Sequence, residues 1–560
     1  MKRTRLVLVV ALVGLGLAFA TGCSKKSPTK TAPKKPVFQV PDSVMFYTGT
    51  DNPNALLAEL YGVATQVTPM VPDPKLMVGP LLQGRFSLLA PTAFDFNTPL
   101  RFVLFNPKTY GRDPSATVIG IKDAKSFEAV IPATDKAQNV DGNAWMYRRW
   151  AKAKYPVYIN FVGKHVILTR HKDLFSQNKK FLTELLGQRF PGGGGAVARL
   201  EQVMAVFDAE FKQGLADAKK NIASSPAGLE AKRIEAMISF VESTAKEFKS
   251  MGARLDITKD GIKIGTNFTP KAKSELAKTI GTLKTGKHSL LEGAPKDSIA
   301  FLSVALETSS FQGLLEKYAG LFNTLLDTGS NQKAAAEAMK KYMDQIDGRM
   351  FMGAHGDPSG SGLAVSMVYG AKDGDKLRAA LASAQALTKA TPATATPMDL
   401  TTDFKKDAYQ IDGKPVDVIT LSSANPQMAA LAMTGFNVQH LGYTKNQSFI
   451  SYGPTAKDVL TKYIKGQYNG LQTSAGVQRA MKNAAPNAYA HAYFSPLGLM
   501  QRAKLGGMNP FAITLAGLKP QGGIAMSAGH EAGDVHFVLD IPTTVLKDGM
   551  AAFEKVKGTF

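Results

Sequence analysis

Cysteine is nearly absent: Cys23 is the only one in 560 residues. A disulfide framework is therefore excluded, as are cysteine-ligated metal sites, so the body must hold by packing alone. Tryptophan is almost as scarce, with Trp145 and Trp150 close together in one short stretch. Past residue 20 no apolar run approaches the roughly 18 residues that a spanning helix needs. Recognisable chemistry is missing as well. No G-x-S-x-G and no H-E-x-x-H occurs. The run Pro191–Gly195 lacks the lysine and hydroxyl that a phosphate loop requires, and reads as a flexible joint. The eight histidines are scattered; His530 and His536 flank a turn where they could face each other across a hairpin. Asp208 and Glu210 sit where a strand is expected to yield to a helix, so helix capping accounts for them. No cofactor or metal ligand set is expected.

What the sequence does carry begins at its first residues. Lys2, Arg3 and Arg5 precede the uncharged stretch of residues 6–20, and Ala20, Thr21 and Gly22 lead into Cys23. Fifteen helical residues reach about 22 Å, short of the ~30 Å hydrocarbon core, so this is a secretory signal rather than a span. The A-T-G-C ending resembles a bacterial lipobox. That resemblance implies cleavage after residue 22 and acylation of Cys23. The alternative is ordinary cleavage with Cys23 left free. Ser24 follows the cysteine, and by the same resemblance the outer membrane is favoured, facing the periplasm. The lipidated Cys23 and a Lys/Pro-rich tether occupy residues 23–40, of which the acid-free stretch 24–37 cannot pack.

The formal net charge is +22. It falls to +19 when Lys2, Arg3 and Arg5 leave with the signal, and to +14 when Lys25, Lys26, Lys30, Lys34 and Lys35 of the tether are set apart. Such a body suits anionic neighbours such as lipid headgroups or cell-wall polymers; a merely solubilising charge is the alternative. An exported protein rarely meets nucleic acid, which is not expected as a partner.

The remaining chain is long enough for about two to four domains and repeats itself. Asp42–Tyr47 (DSVMFY) matches Asp297–Leu302 (DSIAFL), and each runs into an amphipathic helix. Gly120–Ile131 (GIKDAKSFEAVI) matches Gly370–Leu381 (GAKDGDKLRAAL). A weaker echo aligns Val203–Asp208 (VMAVFD), as a strand, with Ala488–Phe494. The order of matches predicts two homologous modules, 41–288 and 289–560. Period-two segments over Val118–Ile121, Val157–Phe161, Val166–Thr169, Ile262–Phe268, Val365–Tyr369, Phe449–Tyr452 and Val535–Ile541 read as strands. Their connecting turns are too short for parallel crossovers. The expected fold is α+β, a largely antiparallel sheet in each module with helices packed on one face. A helical hairpin, Asp208–Ala223 and Ala231–Met251, is expected as an insertion in the first module.

This layout resembles a group of bacterial cell-envelope lipoproteins built from duplicated α+β modules, each opening with P-x-D-(S/T)-apolar-x-(F/Y) after a Lys- or Pro-rich tether. No catalytic residue comes with the resemblance. The least bland segment is Ala144–Phe161, in which Trp145, Arg148, Arg149, Trp150, Lys152 and Lys154 could contact an anionic lipid or glycan. A sheet edge whose arginines cover apolar neighbours is the alternative. The expected function is that of a membrane-anchored, non-enzymatic binding or scaffolding protein, with an envelope protein among its partners. A carrier of a hydrophobic ligand and an enzyme without a recognisable motif remain alternatives.

Overall fold

The computed structural model describes residues 38–68, 91–130, 138–139, 144–148, 156–190, 193–223, 239, 242–317, 332–356, 363–389, 401–422, 435–468, 470–502, 514–515 and 517–557. The chain divides into two compact units, Met1–Gln213 with Ala245–Lys271, and Gly214–Thr244 with Ala272–Phe560. Each is α+β and built on antiparallel strand pairs.

The first unit contains β1 (Val44–Thr50), β2 (Leu100–Phe105), β3 (Ser115–Gly120), β4 (Gln138–Asn139), β5 (Ala144–Arg148), β6 (Pro156–Val162), β7 (His165–Thr169), β8 (Gly194–Ala198), β9 (Phe248–Thr258) and β10 (Gly261–Pro270). Hydrogen bonding sets the order β10-β9-β8-β1-β2-β3-β7-β6-β5-β4. The second unit contains β11 (Ser298–Ala305), β12 (Ile346–Gly356), β13 (Leu363–Ala371), β14 (Thr401–Ile411), β15 (Lys414–Ser422), β16 (Val438–Thr444), β17 (Gln447–Tyr452), β18 (Ala490–Phe494), β19 (Ile524–Glu531) and β20 (Asp534–Pro542). Its order is β20-β19-β18-β11-β12-β13-β17-β16-β15-β14. Counting from the first strand of each unit, the two orders are the same.

Helices follow the same strands in both. They are α1 (Pro53–Val67), α2 (Pro107–Tyr110), α3 (Ala124–Ala129), α4 (Lys172–Gly187), α5 (Leu200–Ala223), α6 (Glu275–Thr282), α7 (Thr308–Lys317), α8 (Gln332–Asp344), α9 (Gly374–Lys389), α10 (Ala456–Ile464), α11 (Ala475–Lys482), α12 (Pro496–Arg502) and α13 (Thr543–Lys557). Thus α1 and α7 follow the first strand of their units, α3 and α9 the third, and α4 and α10 the seventh. The repeated G-x-K-D stretch has a local cause. Asp123 caps α3 by accepting from the Ser126 N–H at 2.7 Å, and Asp373 caps α9 by accepting from the Lys376 N–H at 3.1 Å. The Ser126 hydroxyl, donating at 2.6 Å, and then its N–H hold Asp123 below the usual carboxylate range, and the Lys376 N–H does the same for Asp373. The glycines are needed because a Cβ at Gly120 would lie 1.5 Å from Thr98 Oγ1, and one at Gly370 would lie 2.2 Å from Asp347 Oδ1. Phe127 and Leu377 then plug the helices into their cores.

The helices are not confined to one face everywhere. On β3 and β7, Val118 and Ile167 pack under Leu174, Phe181 and Leu182 of α4, while Ile119, Val166 and Leu168 pack with Phe94 and Phe127 on the other side. Alternation along a strand sends neighbouring side chains to opposite faces, so these strands are buried twice over.

Three local expectations need correction. The glycine run is no joint: Gly194 and Gly195 belong to β8, paired with β1 and β9. A Cβ on Gly195 would stand 2.5 Å from the Phe190 ring, and one on Gly193 would stand 2.5 Å from Leu56, so close packing rather than mobility asks for glycine. Val203–Val206 is helical, near the start of α5, not strand; that helix kinks at Phe207, and Asp208, just past the kink, pairs with Lys212 at 2.7 Å. A short apolar run does not distinguish strand from buried helix, and here Val206 and Phe211 are buried from a helix. Residues 248–251 are strand, not helix, because Phe248–Met251 find partners in β10 and Phe248 lies 5.1 Å from Phe268. Residues 231–238 of the expected hairpin lie outside the described residues.

Candidate functional site

Cys23, Arg149, Trp150, Lys152 and Lys154 lie outside the described residues. Trp145 and Arg148 lie on β5, opposite Ile159 and Pro156 of β6. His530 pairs with Val535 and His536 with Gly529, so the two histidines point to opposite faces of the hairpin and do not face each other.

The second unit buries a hydroxyl–imidazole chain that superficially resembles a nucleophile and base. Ser298 Oγ donates to the Pro295 carbonyl at 2.7 Å, so it accepts from His355 Nδ1–H at 2.9 Å. The other ring nitrogen accepts from Ser366 Oγ at 2.6 Å, and Ser366 Oγ lies 3.0 Å from the Tyr463 hydroxyl. Every proton is placed only if His355 is neutral, and burial pushes its pKa down to about 3. At 3% exposure it meets no substrate. Nearby, His288 donates from Nε2 to the Ala488 carbonyl and accepts from Ser303 at Nδ1, with its ring 4.5 Å from that of His491. Burial, with His288 adding to it, pushes His491 down to about 4.

These groups are structural, and they carry a pH dependence. Their folded pKa values lie below the ordinary value of about 6.5, so the unfolded chain takes up more protons. Their contribution is complete above about pH 6.5 and is lost as the pH falls towards 4. Denaturant unfolding at pH 7.5 and 5 should show lower stability at the lower pH, and His491→Gln should reduce that difference. An unchanged difference would remove His491 from the account.

The exposed feature of the second unit is the sheet face opposite this core. Phe301, Phe351, Val368 and Phe449 point to the side closed by Leu460 and Tyr463 of α10. On the other side, strand register builds a continuous row of Met526, Ala492, Leu302, Met352 and Met367 across β19, β18, β11, β12 and β13, which ends where Ile450 of β17 packs against the cluster of Leu441 and Tyr443. Leu302 and Met352 are 40% exposed and Met526 is 38% exposed. An open apolar row of this extent is uncommon on a monomeric surface.

Both ends of the face are defined. At one, Val304, Met350 and Tyr369 are roofed by Phe311 of α7 and Tyr342 of α8. At the other, the guanidinium of Arg502, the last residue of α12, lies against Gly356: a Cβ there would fall 1.4 Å from Arg502 Nη1. Gly356, Ala354 and Met352 share a face, so this exposed cation sits at the end of the open row. The signal in the sequence was the lack of alternation in SIAFLSVA and RMFMGAHG, which reads as strands covered on both faces.

No protein-family model matches the sequence, and no curated protein is significantly similar to it. Among solved structures, crystal form III of TP0453 is similar at a TM-score of 0.23 and 7% identity, over 44% of this chain and 77% of that one. Crystal form IV gives 0.22 and 7% over 47% and 81%, and crystal form I gives 0.19 and 7% over 49% and 98%. At these TM-scores neither fold nor function is transferred.

Proposed function

We propose that this chain is a lipid-anchored, non-enzymatic binding protein of the bacterial envelope, held at the outer membrane through Cys23 and facing the periplasm. Its partner engages the open sheet face of the second unit. The observation that carries this reading is the exposed row of Leu302, Met352 and Met526, on a sheet whose other face is fully packed. Exposed apolar area costs solubility and persists where something covers it in use. The buried state of His355 and His491 argues for binding over catalysis, since neither ring can reach a reacting group. The common strand order of the two units, with capped helices after equivalent strands, supports their origin by duplication. In that case one copy has kept an opening that the other need not share.

A photoreactive residue replacing Leu302 or Met352 in intact cells should form crosslinked adducts well above the yield at Lys406, an exposed position on β14. Equal yields at all three positions would overturn the assignment of this face.

A further inference from the structure

The open face is not merely apolar. From the roofed end, where Val304, Met350 and Tyr369 lie covered, to Gly356, this side of the sheet carries Ala300, Leu302 and Val304 from β11, with Met350, Met352 and Ala354 from β12. Register adds Val365, Met367 and Tyr369 from β13, Ala490, Ala492 and Phe494 from β18, and Ile524, Met526 and Ala528 from β19. No charged residue is among them. From Met352, just outside the roof, to Gly356 the open strip runs for four residue steps, about 13 Å. One cation, Arg502, stands at its unroofed end, laid over a glycine that leaves it room. A second protein would ordinarily meet a polar rim around an apolar centre. A strip with no charge along its length and a guanidinium at one tip matches an amphiphile instead.

We propose that the open face of the second unit binds a single acyl chain ending in a carboxylate. The chain lies along the strip against Met352, Leu302 and Met367, and the head group pairs with Arg502. Methionine side chains adapt to a flexible chain of methylenes, and a planar guanidinium accepts both oxygens of a carboxylate as a fork. The roof formed by Phe311 and Tyr342 stops the chain at its methyl end, so the site is oriented: tail towards α7 and α8, head towards α12.

This inference rests on the binding reading above and commits it to a lipid. The test is equilibrium dialysis of radiolabelled oleate and of oleyl alcohol against the full chain carrying Cys23→Ser. Oleate should bind saturably. Leu302→Gln combined with Met352→Gln should weaken both ligands at least tenfold. These positions are already exposed, so the thermal midpoint should be little changed. Arg502→Gln should weaken oleate about fivefold and leave oleyl alcohol unaffected, and Arg502→Lys should recover part of the loss. Absence of saturable oleate binding, or equal binding by all variants, overturns the proposal. If the double variant fails to fold, the oleate-to-alcohol ratio of Arg502→Gln alone decides it, because that side chain is exposed. Protein adducts at positions 302 and 352 without oleate binding would sink the lipid while the binding face stands. Failure of both experiments sinks the face itself.

Discussion

Cys23→Ser is expected to move the protein from the membrane fraction to the soluble fraction. The thiolate is the one nucleophile in the chain able to take a lipid as a stable thioether, and serine is not a substitute for it. Each buried methylene contributes about 0.8 kcal/mol, so two or three acyl chains hold a protein at a bilayer where one alone does so only marginally. The tether complicates the comparison in a useful way. Lys25, Lys26, Lys30, Lys34 and Lys35 follow directly. Each contributes about 1 kcal/mol of attraction near an anionic surface at moderate salt. At 1 M salt the screening length falls to about 3 Å and that attraction disappears. The wild-type protein should therefore stay bound through a high-salt wash, while Cys23→Ser is held weakly at low salt and released fully at high salt. Salt-resistant binding of Cys23→Ser, or failure of a fatty-acid analogue to label the wild type, would disprove the anchor.

Arg101→Met should lower the stability of the first unit by about 3–5 kcal/mol, the cost of leaving two or more of its buried carbonyl partners without a donor at about 1–3 kcal/mol each. Arg101 is a central β2 residue with 0% exposure. Its Nη2 donates to Asp51 Oδ1 at 2.5 Å and to the Gln188 carbonyl at 2.7 Å, Nη1 donates to the Thr50 and Leu100 carbonyls, and Nε donates to the Leu185 carbonyl at 3.3 Å. Its guanidinium also lies 4.6 Å from the centre of the Phe190 ring. The Leu185 and Gln188 carbonyls belong to the end of α4, which has no basic side chain in its last turn, so Arg101 supplies the positive charge that this helix end favours. Burial lowers the guanidinium's pKa, and the bond to Asp51 opposes that, so the group stays charged. Methionine fills the volume but strands the carbonyls, while Asp51, 38% exposed, keeps the Phe190 N–H and meets water. Lysine restores the charge without the fork and should recover less than half of the loss. Urea unfolding with an unchanged m-value measures both variants. A loss below about 1 kcal/mol for Arg101→Met would mean that water replaces the fork.

Much of the strand layout was legible because it is written in short-range signals. Period-two segments such as Val166–Thr169 and Val535–Ile541 lie within β7 and β20, and the repeated stretches Gly120–Ile131 and Gly370–Leu381 each lead from a strand into a helix. Val203–Asp208 and Phe248–Met251 were misjudged for one reason: their local pattern suits two conformations, and a distant partner decides. For Phe248–Met251 that partner is β10. Gly195 shows the same limit at a single residue. Its neighbours in the chain suggest mobility, whereas its neighbours in space include Phe190 and the backbone of β1 across the sheet.

The exclusion of an internal disulfide and the alternation of antiparallel strands with helices follow from the sequence alone. Each depends on residue type and on separations of a few positions. Tertiary structure alone decided that Arg101 is enclosed, that His355 is sealed from reactants, and that Leu302, Met352 and Met526 remain open beside Arg502. Strands with apolar residues on both sides, such as β11 and β12, state that both faces are fit to be covered. Whether a face is covered depends on where helices from elsewhere in the chain come to rest, and that is a property of long-range packing rather than of the strand itself.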